Sequence, residues 1–290
     1  MSVGTFVVLG VIHFFARRKF GPEAAERLSD IALLAIGPVI ILAFIASLFH
    51  LGNPFNAYRA VTNMGSSWLS REILSGVLFA LAGGLFALMQ WRKIGSQTLR
   101  TAIAWIATLI GLFFVYAMAQ VYMMRTVPTW DTWYTPASFF TTTFLLGAVA
   151  VGAAFVASYT YLARKDAEEA AAQSEVLRTS LFWIAAASVV MLGVQFVIIP
   201  TYLAYQFAGE VSAITAIRQT FTEYGAIFVL RLILVFVGAG LLAVALMRAA
   251  LRSENISTLA ALAYTAFALV LVSEVLGRFL FYASYTRMGL

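Results

Sequence analysis

Residues 224–247 read YGAIFVLRLILVFVGAGLLAVALM, an apolar run with a single charge, Arg231. A helix needs about 20 mainly apolar residues to cross a hydrocarbon core of about 30 Å. This run is long enough. It is also too long and too continuous for a barrel strand, which spans with about 9–11 alternating residues. A helix satisfies all of its own backbone groups in lipid. The stretch therefore reads as a transmembrane helix.

Working outward, seven more runs bounded by charge or by Gly and Pro clusters carry the same signal: 2–16, 31–51, 73–91, 102–123, 137–162, 181–207 and 259–282. The expected fold is all-α: a polytopic membrane protein with eight transmembrane helices in two four-helix bundles. Residues 1–290 are expected to form a single integral membrane domain. The first run is anomalous. From 2 to 16 it reaches only about 22 Å at 1.5 Å per residue. It is not a secretory signal, because its charges follow it rather than precede it. The first helix is expected to be truncated, with the natural chain starting earlier.

Composition agrees. The chain is 62% hydrophobic and 11% charged, against roughly 45–50% and about 25% in soluble domains. A soluble enzyme is excluded, and eight spans leave no room for an extramembrane catalytic domain. The net charge of +6 would suggest nucleic acid in a soluble protein. Here no nucleic acid is expected, because basic loops set membrane orientation. Arg17, Arg18, Lys19, Arg27, Arg92, Lys93, Arg100, Arg164, Lys165, Arg178, Arg248 and Arg252 fall on one side. Only Arg59, Arg71, Arg125, Arg218 and Arg287 fall on the other. The first side is expected to be cytoplasmic, which sends both termini outward, to the periplasmic side of a bacterial inner membrane. The acidic run Asp166, Glu168 and Glu169 reads as a solvated loop.

Polar chemistry collects on the outward side. His50 closes the second span, and Ser66 or Ser67 is the expected N-cap of the third. Glu72, Gly76, Ala80 and Gly84 share one helical face. Small residues at that spacing let helices approach closely, so Glu72 is expected to point into the bundle. An ion pair of Glu72 with Arg71 or Arg59 is the structural alternative. Arg231, Glu274 and Arg278 are expected to form structural ion pairs within the membrane, with Glu223 a second candidate partner of Arg231; lining a site is the alternative. Trp130, Trp133 and Tyr134 fit an interfacial aromatic belt, which suffices for at least one of them; a loop that roofs a ligand cleft or docks a partner is the alternative. His13, at the other face, reads as interfacial.

The chain has no cysteine and two histidines, His13 and His50, at opposite membrane faces. Iron–sulfur clusters and thiolate metal sites are therefore excluded within this chain, and paired histidines cannot reach one haem iron. No metal site is expected. Any redox chemistry must use a diffusible ligand and an acceptor on another polypeptide.

Four segments carry a resemblance: His50-Leu-Gly-Asn-Pro54, Ser70-Arg-Glu-Ile73, Thr126-Val-Pro-Thr-Trp130 and Glu274-Val-Leu-Gly-Arg278-Phe-Leu-Phe-Tyr282. In this order and at these span positions they resemble the membrane anchor subunits of the dimethyl sulfoxide reductase family, over nearly the whole chain. The resemblance implies eight helices, no metal centre, and two partners: an iron–sulfur subunit and a molybdopterin catalytic subunit. It implies a quinol-oxidising subunit of an oxidoreductase complex that takes menaquinol as diffusible substrate and passes the electrons on, in anaerobic respiration. The histidine of the HLG segment and the glutamate of the S-x-E-I segment, tied in the family to quinol binding and oxidation, fall on His50 and Glu72. Arg71 and Arg59 stand nearby to steady a quinol anion. A polytopic small-solute or ion transporter is the competing reading. It predicts spans broken at the midplane, and none is visible.

Overall fold

The computed structural model describes residues 1–34, 41, 45 and 62–285. Within them the chain is helical: α1 (Ser2–Phe20), α2 (Pro22–Leu34), α3 (Trp68–Arg92), α4 (Gln97–Tyr122), α5 (Tyr134–Lys165), α6 (Ala167–Phe207), α7 (Val211–Leu251) and α8 (Ile256–Ala283).

Among the described residues, six helices are long and apolar enough to cross a membrane, α3 to α8. This overturns the expectation of eight. The reason is local. Helix α1 ends on Arg17, Arg18 and Lys19, so any stretch of it long enough to span includes three charges. Helix α2 is a 13-residue helix starting Pro-Glu. The rest of the run 31–51 lies outside the described residues, apart from residues 41 and 45.

Nor do the described helices part into two four-helix bundles. Helix α5 is central: 72% of its apolar window is buried, against 28–33% in the other five. Helices α1, α4, α6 and α8 all pack on it. Its small residues make this geometry: Gly147 lies backbone to backbone against Gly4 of α1. Helices α3 and α4 form a hairpin beside it, and α7 closes the far side against α6 and α8.

Two helices overrun the membrane. Helix α6 has 41 residues, about 60 Å at 1.5 Å per residue, twice a hydrocarbon core. The acidic run is therefore not a loop. Asp166 is the single break between α5 and α6, and its carboxylate caps α6 by accepting from the Glu169 amide at 2.9 Å. Helix α7 bends at Tyr224 and passes through a π-helical turn at Phe236–Leu242. Ser67, Ser96 and Asn255 cap α3, α4 and α8.

Lys93 bonds Glu26 at 2.6 Å and Asp30 at 2.7 Å, and Gln90 donates to Asp30 at 2.9 Å. Burial alone would raise the Glu26 carboxyl's pKa, but the Lys93 hydrogen bond and charge hold it below the usual range. Burial alone would lower the Lys93 pKa, and the two carboxylates push it above the usual range instead. Glu26 is depressed, so its contribution is present above its unfolded pKa and lost as pH falls through the folded value. Lys93 is raised, so its contribution is present below its unfolded pKa and lost as pH rises through the folded value. The destabilisation by Lys93→Met is expected to be constant between the usual carboxylate and lysine ranges, about pH 5 to pH 9, and to shrink as pH falls below the usual carboxylate range. Thermal melts across pH check this. The difference stays within about 1 kcal/mol, because the cluster is solvent-exposed.

Candidate functional site

Glu72 lies in the second turn of α3 and is half-buried. Among the described residues no ion pair joins it to Arg71. Arg71 is turned back instead. Its Nε donates to the Met64 carbonyl at 2.9 Å and its Nη2 to the Gly65 carbonyl at 2.8 Å. The guanidinium also lies 4.3 Å from the centre of the Trp68 ring. Arg71 so fixes the turn that starts α3. It also stands at the edge of an apolar cavity of about 490 Å³, lined by Leu74, Leu78, Leu109, Ile110 and Phe113.

The small-residue face of α3 is used only in part. Gly76 meets Phe114 of α4, whose ring atoms lie 3.1 Å from the place of an added Cβ. Gly84 faces open space. Helix α3 therefore turns that stripe away from its neighbour after Gly76, and buried Phe79 takes over the contact.

At the same end, Tyr122 closes α4 within reach of the charges of Glu72 and Arg278. Its hydroxyl lies 2.9 Å from that of Tyr282. Arg278 covers the Phe139 ring at 3.8 Å. The second outward loop is docked onto this group. Trp130 stacks on Phe281 with centroids 5.0 Å apart, and its Nε1 donates to the Phe281 carbonyl at 2.8 Å. Thr129 donates to the Ser284 carbonyl at 2.8 Å, and Tyr202 donates to the Thr129 carbonyl at 2.9 Å. Trp130 and Tyr134 are thus buried, at 6% and 8% exposure. They are not a lipid-facing belt; of the three aromatics only Trp133 is exposed.

The expected ion pairs take another form. Glu274 is 5% exposed, yet its partners are neutral: Thr142 of α5 donates to Oε2, and Gln195 of α6 donates to Oε1 at 2.7 Å. No ion pair joins Arg231, Glu274 and Arg278, although Glu274 and Arg278 still feel each other's charge. Sequence reasoning missed Thr142, Gln195 and Tyr122. The amide and the hydroxyl inside spans were the available signal, since such groups bond across membrane helices. Gln195→Leu or Thr142→Val leaves a buried carboxyl oxygen without its donor. Each is expected to cost about 1–3 kcal/mol, read as a lowered melting temperature.

His50 and Arg59 lie outside the described residues. Among the described residues no group of three His, Cys, Asp or Glu side chains is placed to hold a metal ion.

Fold and site together define a polytopic α-helical membrane protein whose few ionisable side chains gather at the ends of its helices and between them. A family model for the DMSO reductase anchor subunit (DmsC) matches residues 1–284, and the chain belongs to that family. It is 28% identical to the anaerobic dimethyl sulfoxide reductase chain YnfH of Escherichia coli strain K12, over 99% of this chain and 92% of that one. It is 30% identical to a chain of the anaerobic dimethyl sulfoxide reductase of Haemophilus influenzae, over 90% and 81%. A sulfite dehydrogenase subunit of Allochromatium vinosum is 26% identical over about half of each protein, 54% and 50%. No solved structure matches. With six helices among the described residues long and apolar enough to span, the chain is a multi-pass, DmsC-like anchor of the inner membrane.

Proposed function

We propose that this subunit binds and oxidises menaquinol at the end of the bundle that holds Glu72, and that the electrons pass to an iron–sulfur partner serving a molybdopterin catalytic subunit. The observation that carries the reading is Glu72 itself: a half-buried carboxylate without a partner in Arg71, one residue from the edge of a 490 Å³ apolar cavity. A quinol needs a proton acceptor for its hydroxyl and an apolar channel for its isoprenoid tail. Glu72 supplies the first and the α3–α4 cavity fits the second.

Oxidation of one quinol releases two protons and two electrons and leaves a quinone. Glu72 accepts one proton and His50 the other. Arg71, held by the Met64 and Gly65 carbonyls, and Arg59 favour the quinol anion that forms on the way. The excess of basic residues on the opposite loops sets this end outward, with both termini, so the protons leave on the periplasmic side. Electron transfer is short-range, so the iron–sulfur partner docks on the same face.

The test is purification of the chain in mild detergent with its partners. Iron and molybdenum are expected to co-purify, and a reduced naphthoquinol is expected to reduce the iron–sulfur centres. His50→Ala is expected to slow that reduction with metal content unchanged. A chain that purifies alone and moves a solute across vesicles would overturn the reading.

A further inference from the structure

A second site, a largely apolar cavity that holds one buried charge, lies between α6, α7 and α8, apart from Glu72. It is a cavity of about 60 Å³ whose lining includes Tyr134, Tyr202, Thr220, Arg231, Gly277 and Ser284. Arg231 is only 7% exposed, and its Nε is buried without a hydrogen-bond partner. No ion pair to Arg231 exists among the described residues. The residue's one bond across helices uses its backbone: the carbonyl accepts from Ser273 at 2.9 Å. The nearby carboxylate, Glu274, is occupied by Thr142 and Gln195.

The guanidinium has a built seat. Residue 277 is glycine, and a Cβ there would lie 2.5 Å from Nε and 2.6 Å from Cζ of Arg231. Any side chain at 277 would displace the charge. A guanidinium does not deprotonate to escape burial. Buried charges within a membrane are paired or face a polar cavity. Here the cavity beside Arg231 is mostly apolar, so it leaves the charge uncompensated, and the counter-charge is missing among the described residues.

Size and position narrow the ligand. The cavity is well below the roughly 300–1,000 Å³ of pockets that enclose drug-sized molecules, so a quinone ring does not fit it. Gly277 precedes the end of α8 at Ala283 by six residues, about 9 Å of helical rise. The site therefore lies within two turns of that end of α8.

We propose that the Arg231 cavity binds a phosphate-class oxyanion, received by the guanidinium fork over Gly277. The oxyanion comes from the headgroup of an anionic phospholipid or from free phosphate. Either meets Arg in the paired geometry that its planar donors favour.

The test uses the full chain, purified in a phosphate-free detergent solution. Short-chain phosphatidylglycerol and inorganic phosphate are titrated separately, with bound mass read by native mass spectrometry and the melting temperature read in parallel. One equivalent of a phosphate-bearing adduct is expected. Binding of phosphatidylglycerol alone assigns the lipid as source, and binding of inorganic phosphate assigns the free anion. Arg231→Gln and Gly277→Ala are each expected to weaken binding by about tenfold or more, the loss of one charge-assisted pair. Gly277→Ala keeps the charge and moves it, so it separates position from charge. Arg231→Lys, folded with its charge but without the fork, is expected to fall between. The proposal is overturned if neither probe binds the wild-type chain, or if all three variants bind as tightly as wild type.

Discussion

In a Glu72→Gln variant, quinol-driven reduction is expected to fall by about 100-fold while the complex stays assembled. The magnitude is the low end of what a positioned proton acceptor contributes to a rate. Glutamine matches the carboxylate in shape and cannot take a proton. Its effect on packing is small, because Glu72 is half-buried and forms no ion pair with Arg71. The loss should therefore appear in kcat with KM nearly unchanged. Glu72→Asp keeps the acceptor and shortens its reach, so it is expected to recover part of the rate. Arg71→Ala should behave differently. It releases the Met64–Gly65 turn and the Trp68 stack, so it is expected to raise KM, and its effect on kcat should be smaller than that of Glu72→Gln. Steady-state rates with a naphthoquinol, on samples matched for iron and molybdenum, decide between these outcomes. Full activity in Glu72→Gln would place the proton acceptor elsewhere.

Much of this architecture could be read from apolar runs alone. The spans at 73–91, 102–123, 137–162, 181–207, 224–247 and 259–282 each fall inside a spanning helix, give or take a residue at an end, because hydrocarbon admits no other backbone there. Helix ends were harder to read. Polar residues at 167–180 continue α6, since Asp166 caps it and nothing breaks it. The run 2–16 is apolar, but the charges that close its helix keep α1 from qualifying as a span. Partner choice was least legible. Glu274 and Arg278 sit four residues apart on one helix, which suggested a pair. Helix packing instead delivers Thr142 and Gln195 to Glu274, and lays Arg278 on Phe139. Such contacts depend on how α5 and α6 rotate about their axes, and no spacing within α8 encodes that. The same holds for Trp130. Its loop composition matches a lipid-facing belt, while its indole donates to Phe281 and sits inside the protein.

The largest structural effect is expected from one methyl group. Gly147→Ala places a Cβ against the backbone of Gly4, where the glycine's carbonyl carbon, oxygen and Cα all lie within 3 Å. Overpacking usually costs about 1–3 kcal/mol because side chains can move aside. Here the obstacle is main chain held in a helix, so relief requires moving the whole of α1 off α5. Loss of α1 also exposes Val3, Phe6 and Leu9, all buried in the main core. Membrane helices associate chiefly through close packing, with little hydrophobic drive between them, so a displaced α1 has little else to hold it. The Gly147→Ala chain is expected to be nearly absent from the folded membrane fraction. Gly152→Ala provides the control in the same helix: its Cβ meets side chains and no main chain, the nearer being the Ile184 Cγ2 at 3.3 Å, which must give by only a few tenths of an ångström, and at most a modest loss is expected. Gly84→Ala, which meets nothing within 4 Å, should be silent, and helix propensity slightly favours it. Expression levels and detergent melting temperatures of the three variants provide the comparison. If Gly147→Ala matches the other two, the α1–α5 crossing is not as close as the structure has it.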